Sequence, residues 1–206
     1  MGQRIQIIVK IPAEFWNEDN PNNKPERILV FHNQWLYGMN FLRYAQRLIR
    51  AISFLIAKEN KMDKYKGYPI EHEKIVNRAI LHANNADLTY MTNSFLYDEN
   101  NNSYNKVLQQ SKNVLEFLKY WNNNNGYLYI EIKKNNEICY DILNGYEDAD
   151  KITSRTPEEY LRLFYPNDRM AGEIKAVIEW LNNQKRCDCM KRLYLFKRKL
   201  AKGDRK

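Results

Sequence analysis

Two six-residue runs, YLYIEI from Tyr127 and ICYDIL from Ile138, alternate in hydropathy around the polar segment KKNNE, and no other stretch restricts the fold as tightly. Period-two alternation places successive side chains on opposite faces of a strand, and the intervening Asn135-Asn136 suits a tight turn. Residues 126–144 therefore predict a β-hairpin.

Two more strands are legible near the N-terminus. Residues 4 to 11 set Ile5, Ile7, Val9 and Ile11 against Arg4, Gln6, Ile8 and Lys10, which predicts a strand with one strongly apolar face. Residues 17–25, with Pro21, Pro25 and four asparagines, form a loop, and Glu26 to Asn33 is a second strand. Gly38 and Asn40 mark the entry to a helix of about 19 residues ending near Lys58, whose Leu42, Ala45, Leu48, Ile49, Ile52, Leu55 and Ile56 recur at helical spacing. Further helices are expected over Ile70–Asn84, Tyr104–Trp121, a short one to about Phe164 and one over Asp168–Asn182. The short one opens at Ser154-Arg155-Thr156-Pro157-Glu158-Glu159, which offers an N-cap, a first-turn proline and acidic residues. The region 87–103 has no clean period beyond a short strand around Tyr90 to Tyr97. Four strands with several helices imply an α+β fold, with a small antiparallel or mixed sheet packed by helices.

The chain of 206 residues carries 33 Lys+Arg against 25 Asp+Glu, a net charge of +8, and the excess is not spread evenly. Residues 185–206 hold ten basic residues against Asp188 and Asp204, so residues 1–184 are formally neutral. That divides the chain into a neutral α+β domain, 1–184, and a basic C-terminal tail, 185–206. In the tail Cys189, Leu193, Phe196 and Leu200 space as one helical stripe among Lys191, Arg192, Lys197, Arg198 and Lys199, which predicts a basic amphipathic helix. Such a helix can dock its apolar stripe on a protein and present its charges to nucleic acid or to an acidic protein surface, with Tyr194 as a stacking ring, or it can lie on an acidic membrane.

Other classes are excluded or disfavoured. With 44% hydrophobic and 13% aromatic residues the chain can build a core, so it is neither collagen-like nor wholly disordered. The longest apolar run, Ala51 to Ala57, is far short of the roughly 20 residues of a membrane span. The N-terminus lacks the apolar stretch of a secretory signal and is expected to be that of the mature protein, and Gln6 argues against acylation of Gly2. Three cysteines do not make a disulfide scaffold and suit a reducing compartment. The 26 asparagines fall largely in loops.

Candidate sites are few. His32, Asn33, Gln34, Trp35 and Tyr37 gather at a strand-to-helix turn, where a proton acceptor, two amides and two stacking rings would serve a small hydrolase or a nucleotide-binding protein. No nucleophile, glycine-rich phosphate loop or catalytic signature accompanies them, and no catalytic residue is assigned. Arg43, Arg47 and Arg50 form an i, i+4, i+7 stripe suited to phosphates or carboxylates, or to intramolecular ion pairs. His72 and His82 stand ten residues apart on one helix, about 15 Å by helical rise, too far to share a metal, and read as solvent-exposed. Cys187 and Cys189 diverge if helical, which disfavours a structural metal and leaves a surface thiol pair open to oxidation. No metal or cofactor is expected.

The opening MGQRIQI, followed by HNQWLYG over residues 32–38 ahead of an apolar helix, resembles proteins of tailed bacteriophages, and the Asn- and Lys-rich composition is similar to that of crAss-like phages. The resemblance covers about the first 60 residues and implies a setting, host cytoplasm or virion, rather than a mechanism. Together with the tail it favours a non-enzymatic protein that binds a macromolecule, either a virion component near DNA or a host-takeover factor. The alternatives are an inhibitor of a bacterial defence nuclease, the small hydrolase named above, and an adaptor within a multi-protein assembly.

Overall fold

A computed structural model describes residues 4–14, 19, 26–34, 36–66, 70–84, 95–96, 126–144, 153–166 and 172–187. The helix expected over 104–121 and the basic amphipathic helix of the tail lie outside the described residues, as do Lys191, Arg192, Lys197, Arg198 and Lys199. The expected α+β class holds, with a mixed sheet.

The sheet contains β1 (Arg4–Ile11), β2 (Arg27–Gln34), β3 (Phe95–Leu96), β4 (Tyr127–Ile132), β5 (Ile138–Asn144) and β6 (Thr153–Arg155), in the order β3-β2-β1-β4-β5-β6. Among these strands only β1 and β4 are parallel neighbours, and the other strand pairings are antiparallel. The hairpin β4–β5 forms in the register that the alternation requires, with Ile130 opposite Tyr140. Its turn places Asn136 at φ 63°, a left-handed conformation that asparagine tolerates better than most residues.

Register joins the apolar faces. Ile7 lies beside Leu128 and Val9 beside Ile130, so the inward residues of β1 and β4 continue one surface. That surface packs with Tyr140 and Ile142 against the helices α1 (Gly38–Lys66), α2 (His72–Asn84), α3 (Pro157–Arg162) and α4 (Gly172–Asn182). Burying each large side chain here contributes roughly 1.5–3 kcal/mol, which makes this layer the main source of cohesion. The opposite face is not the polar surface expected of β1: Gln6, Ile8, Tyr127, Tyr129, Cys139 and Leu143 are buried as well.

Two elements differ from expectation. The first helix continues to Lys66, because Glu59 to Lys66 is polar but rich in good helix formers, and Glu59 faces Arg78 of α2 at 3.7 Å. The three-residue β6 was not legible, and it takes Ser154 and Arg155 into the sheet. The cap of α3 is therefore Thr156, whose hydroxyl accepts the Glu159 N–H while the Glu159 carboxylate accepts the Thr156 N–H, with Pro157 in the first turn. Among the described residues no helix is long and apolar enough to cross a membrane.

Candidate functional site

Of the residues expected to form a turn site, the structure describes the backbone of His32, Asn33 and Gln34 and the whole of Tyr37. His32, Asn33 and Gln34 belong to β2, paired with Gln6, Ile5 and Arg4 of β1. Their side chains, and Trp35 altogether, lie outside the described residues. Tyr37 is half-buried with its ring 5.9 Å from that of Phe164, a packing role.

Along α1, Arg43 and Arg47 are half-buried, and Arg50 is exposed with its guanidinium 4.7 Å from the centre of the Trp180 ring on α4. This cation–π contact engages Arg50 within the fold while leaving it in contact with solvent. Burial pushes the hydroxyl of nearby Tyr44 well above the usual tyrosine range, with the Arg47 charge pulling the other way.

His72 corrects the expectation of exposure, since it is only 7% exposed. Its backbone N–H donates to Glu14 at 2.8 Å, and its ring Nε2 lies 2.8 Å from Asn136 Oδ1. Nδ1 faces the same Glu14 oxygen at 3.5 Å. The group joins the segment after β1, the start of α2 and the hairpin turn, and both ring nitrogens face protein. It works as a clasp. His82 is exposed, as expected.

The densest set of charged and nucleophilic groups lies where the C-terminal segment leaves α4. Residues 185–187 run beside β5 in line with β6: the Tyr140 N–H donates to Lys185 O at 3.0 Å, and the Cys187 N–H donates to Tyr140 O at 2.7 Å. The start of the basic segment is thus part of the sheet edge. Lys185 pairs with Glu137, which also meets Lys133 at 3.3 Å, and these two lysines hold the Glu137 carboxyl below its usual range.

Arg186 reaches across β5 and β6. Its Nη2 donates to Asp141, to Arg155 O at 2.7 Å and to Ser154 Oγ at 3.1 Å, and its guanidinium lies 5.1 Å from the centre of the Tyr140 ring. The Tyr140 hydroxyl donates to Leu181 O at 2.9 Å, and burial pushes its pKa up to about 12. Asp141 is 1% exposed and accepts from Ser154 at 2.6 Å and from the Ile142 N–H at 2.9 Å. Burial nevertheless raises its carboxyl above the usual range, against the opposing pull of Ser154 and Arg186.

Beside this network Cys187 meets Cys139. The two sulfurs are 2.8 Å apart, both residues are buried, and Glu131 Oε2 lies 3.9 Å from Cys139 Sγ, with Lys10 Nζ 3.5 Å from the other carboxylate oxygen. Cys187, expected at the surface beside Cys189, is buried against a residue 48 positions away, and Cys189 lies outside the described residues. Glu131, Cys139 and Cys187 are also the only group among the described residues whose ligand atoms are close enough for one metal ion, all within 4.8 Å of one another. Sequence spacing could not have found this set, because three separate strand segments bring it together.

No family model matches the chain, and no curated protein or solved structure matches it.

Proposed function

We propose that this protein is a non-enzymatic nucleic-acid-binding module, a neutral α+β body that holds a cationic C-terminal segment by its root. The observation that carries the reading is the concentration of charge: residues 188–206 contain eight basic residues against Asp188 and Asp204, while residues 1–184 are balanced. Lys185 and Arg186 are engaged by Glu137 and Asp141, so the binding charges are Lys191, Arg192, Lys197, Arg198, Lys199 and the basic residues beyond them. Closely spaced cations release counterions when they meet phosphates, which gives affinity without base recognition. Arg50 adds a solvent-accessible guanidinium on the body. In a phage setting the ligand would be packaged DNA or a host nucleic acid.

The test is fluorescence anisotropy with labelled duplex DNA and single-stranded RNA, using the full chain and a version ending at Cys187. That end point keeps the hydrogen bonds to Tyr140. Affinity for the full chain should fall about 10³-fold or more between 50 and 200 mM salt, as for six or more phosphate contacts. The shortened chain should retain its fold and lose the binding. Undiminished binding after truncation overturns the reading, and tight binding to acidic proteins alone assigns the segment to a protein partner.

A further inference from the structure

We propose that Cys139 and Cys187 form a reversible disulfide that locks the root of the C-terminal segment onto β5. The inference goes beyond nucleic-acid binding and stands whether or not the segment binds a polyanion. It rests on four observations. The sulfurs are in direct contact at 2.8 Å, and both residues are buried. A disulfide needs about 2.05 Å, so closure requires a movement of about 0.8 Å. Cys139 precedes Tyr140 and Cys187 follows Arg186 of the bridged parallel pair, so alternation sends their side chains to the same face at diagonal positions, and the backbone hydrogen bonds of Tyr140 hold the two segments together. Finally, the Glu131 carboxylate stands at Cys139 Sγ as an acceptor for its proton.

The same distances argue against a resident zinc ion. Two thiolates bound to one tetrahedral zinc at about 2.3 Å stand roughly 3.8 Å apart, so these sulfurs would have to separate rather than approach. The Glu131 carboxylate, moreover, already faces the ammonium of Lys10.

The oxidant is a low-molecular-weight disulfide. Cys187, at 7% exposure the more accessible of the two, attacks one of its sulfurs as the thiolate and releases one small thiolate, leaving a mixed disulfide on Cys187. Cys139 passes its proton toward Glu131 and attacks Cys187 Sγ, expelling the second small thiolate. The protein loses two electrons and two protons, and the small disulfide takes them up as two thiols. In a reducing compartment the pair rests as a dithiol and closes when the poise shifts.

Full-length protein is incubated under native conditions with oxidised glutathione, alkylated, digested and mapped by mass spectrometry. The expected result is loss of two of the three thiols, a cross-linked peptide pair containing Cys139 and Cys187, an alkylated Cys189 and complete reversal by dithiothreitol. The oxidised form should melt about 10 °C above the reduced form, since the bond closes a long loop. The Cys189→Ser variant should form the same cross-link. Three thiols persisting, a bond mapped to Cys187 and Cys189, or one equivalent of zinc bound to the purified protein would each overturn the proposal.

Discussion

The Glu14 carboxylate accepts the backbone N–H of His72 at 2.8 Å, tying the segment after β1 to the first residue of α2 across 58 positions of sequence. One of the first-turn N–H groups of α2, which has no partner inside the helix, is satisfied by a residue from the sheet layer. The negative charge also sits at the positive end of the helix dipole. Glu14 therefore fixes where α2 begins as well as how it lies on β1.

Replacing that carboxylate should release both effects. Glu14→Ala is expected to lower stability by about 1–3 kcal/mol, because it strands a buried donor and leaves the His72 ring without its acidic neighbour. Glu14→Gln keeps an acceptor and should lose less. Urea denaturation of the three proteins checks the order, and an alanine variant as stable as the parent would remove Glu14 from any structural role.

The other side of the clasp depends on Asn136, whose amide meets His72 and also donates to Asn60 Oδ1 at 3.2 Å. Its φ of 63° means that backbone conformation and side-chain contacts can be separated by mutation. Asn136→Gly removes the contacts but relaxes the backbone, whereas Asn136→Ala removes the contacts and places a Cβ in the left-handed region, at a further cost of about 1 kcal/mol. The alanine variant should therefore be the less stable of the two in denaturant titration. Equal stabilities would show that the turn shifts to avoid the strain.

What the sequence could and could not reveal follows from the distance over which each feature is encoded. The hairpin, β1, β2, the start of α1 and the capped, proline-led start of α3 are local patterns, each legible in a window of a few residues. The burial of His72 leaves no local trace, because its partners, Glu14 and Asn136, lie on other elements and no spacing around residue 72 points to them. The same holds for Cys187, whose contact with Cys139 on β5 spans 48 positions of sequence. Ile8 and Tyr129 show a related limit: alternation identifies two faces of a strand, but which of them is buried depends on what the rest of the chain lays over the sheet.

Asp141 sets an unusual pH dependence. Burial raises its carboxyl in the folded protein above its value in the unfolded chain, so the folded state binds the proton more tightly in acid. The stability linked to this group is complete below the unfolded pKa and is lost as pH rises through the folded one, from about pH 4 upward. Ordinary paired carboxylates give the reverse slope. The Asp141→Asn variant, measured beside the parent by urea denaturation from pH 3 to 6, should lack this component, so the difference in stability between the two should shift in favour of the variant as pH rises. A constant difference across that range would contradict the raised value.

The junction of β2 with α1 depends on Gly38 for two independent reasons. Its φ is +55°, where a side chain costs about 1–2 kcal/mol, and a Cβ built there would lie 2.9 Å from Tyr165 Cε2 and 3.1 Å from its hydroxyl oxygen. Tyr165 cannot move without consequence, because it borders an aromatic group in which the Tyr160 ring stands 4.6 Å from Phe41 and 5.2 Å from Phe164. Gly38→Ala should therefore cost about 2 kcal/mol or more, combining the backbone term with disturbed packing. Gly172, at the start of α4, makes the matched control: nothing lies within 4 Å of its Cβ position, and its φ is outside the left-handed region. Gly172→Ala should be neutral or stabilising by up to about 1 kcal/mol, through the reduced freedom of the unfolded chain. Thermal unfolding of the two variants should move in opposite directions or leave Gly172→Ala unchanged. A Gly38→Ala protein that melts with the parent would mean that the entry to α1 is set by Leu36 and Phe41 in the core rather than by the backbone at Gly38.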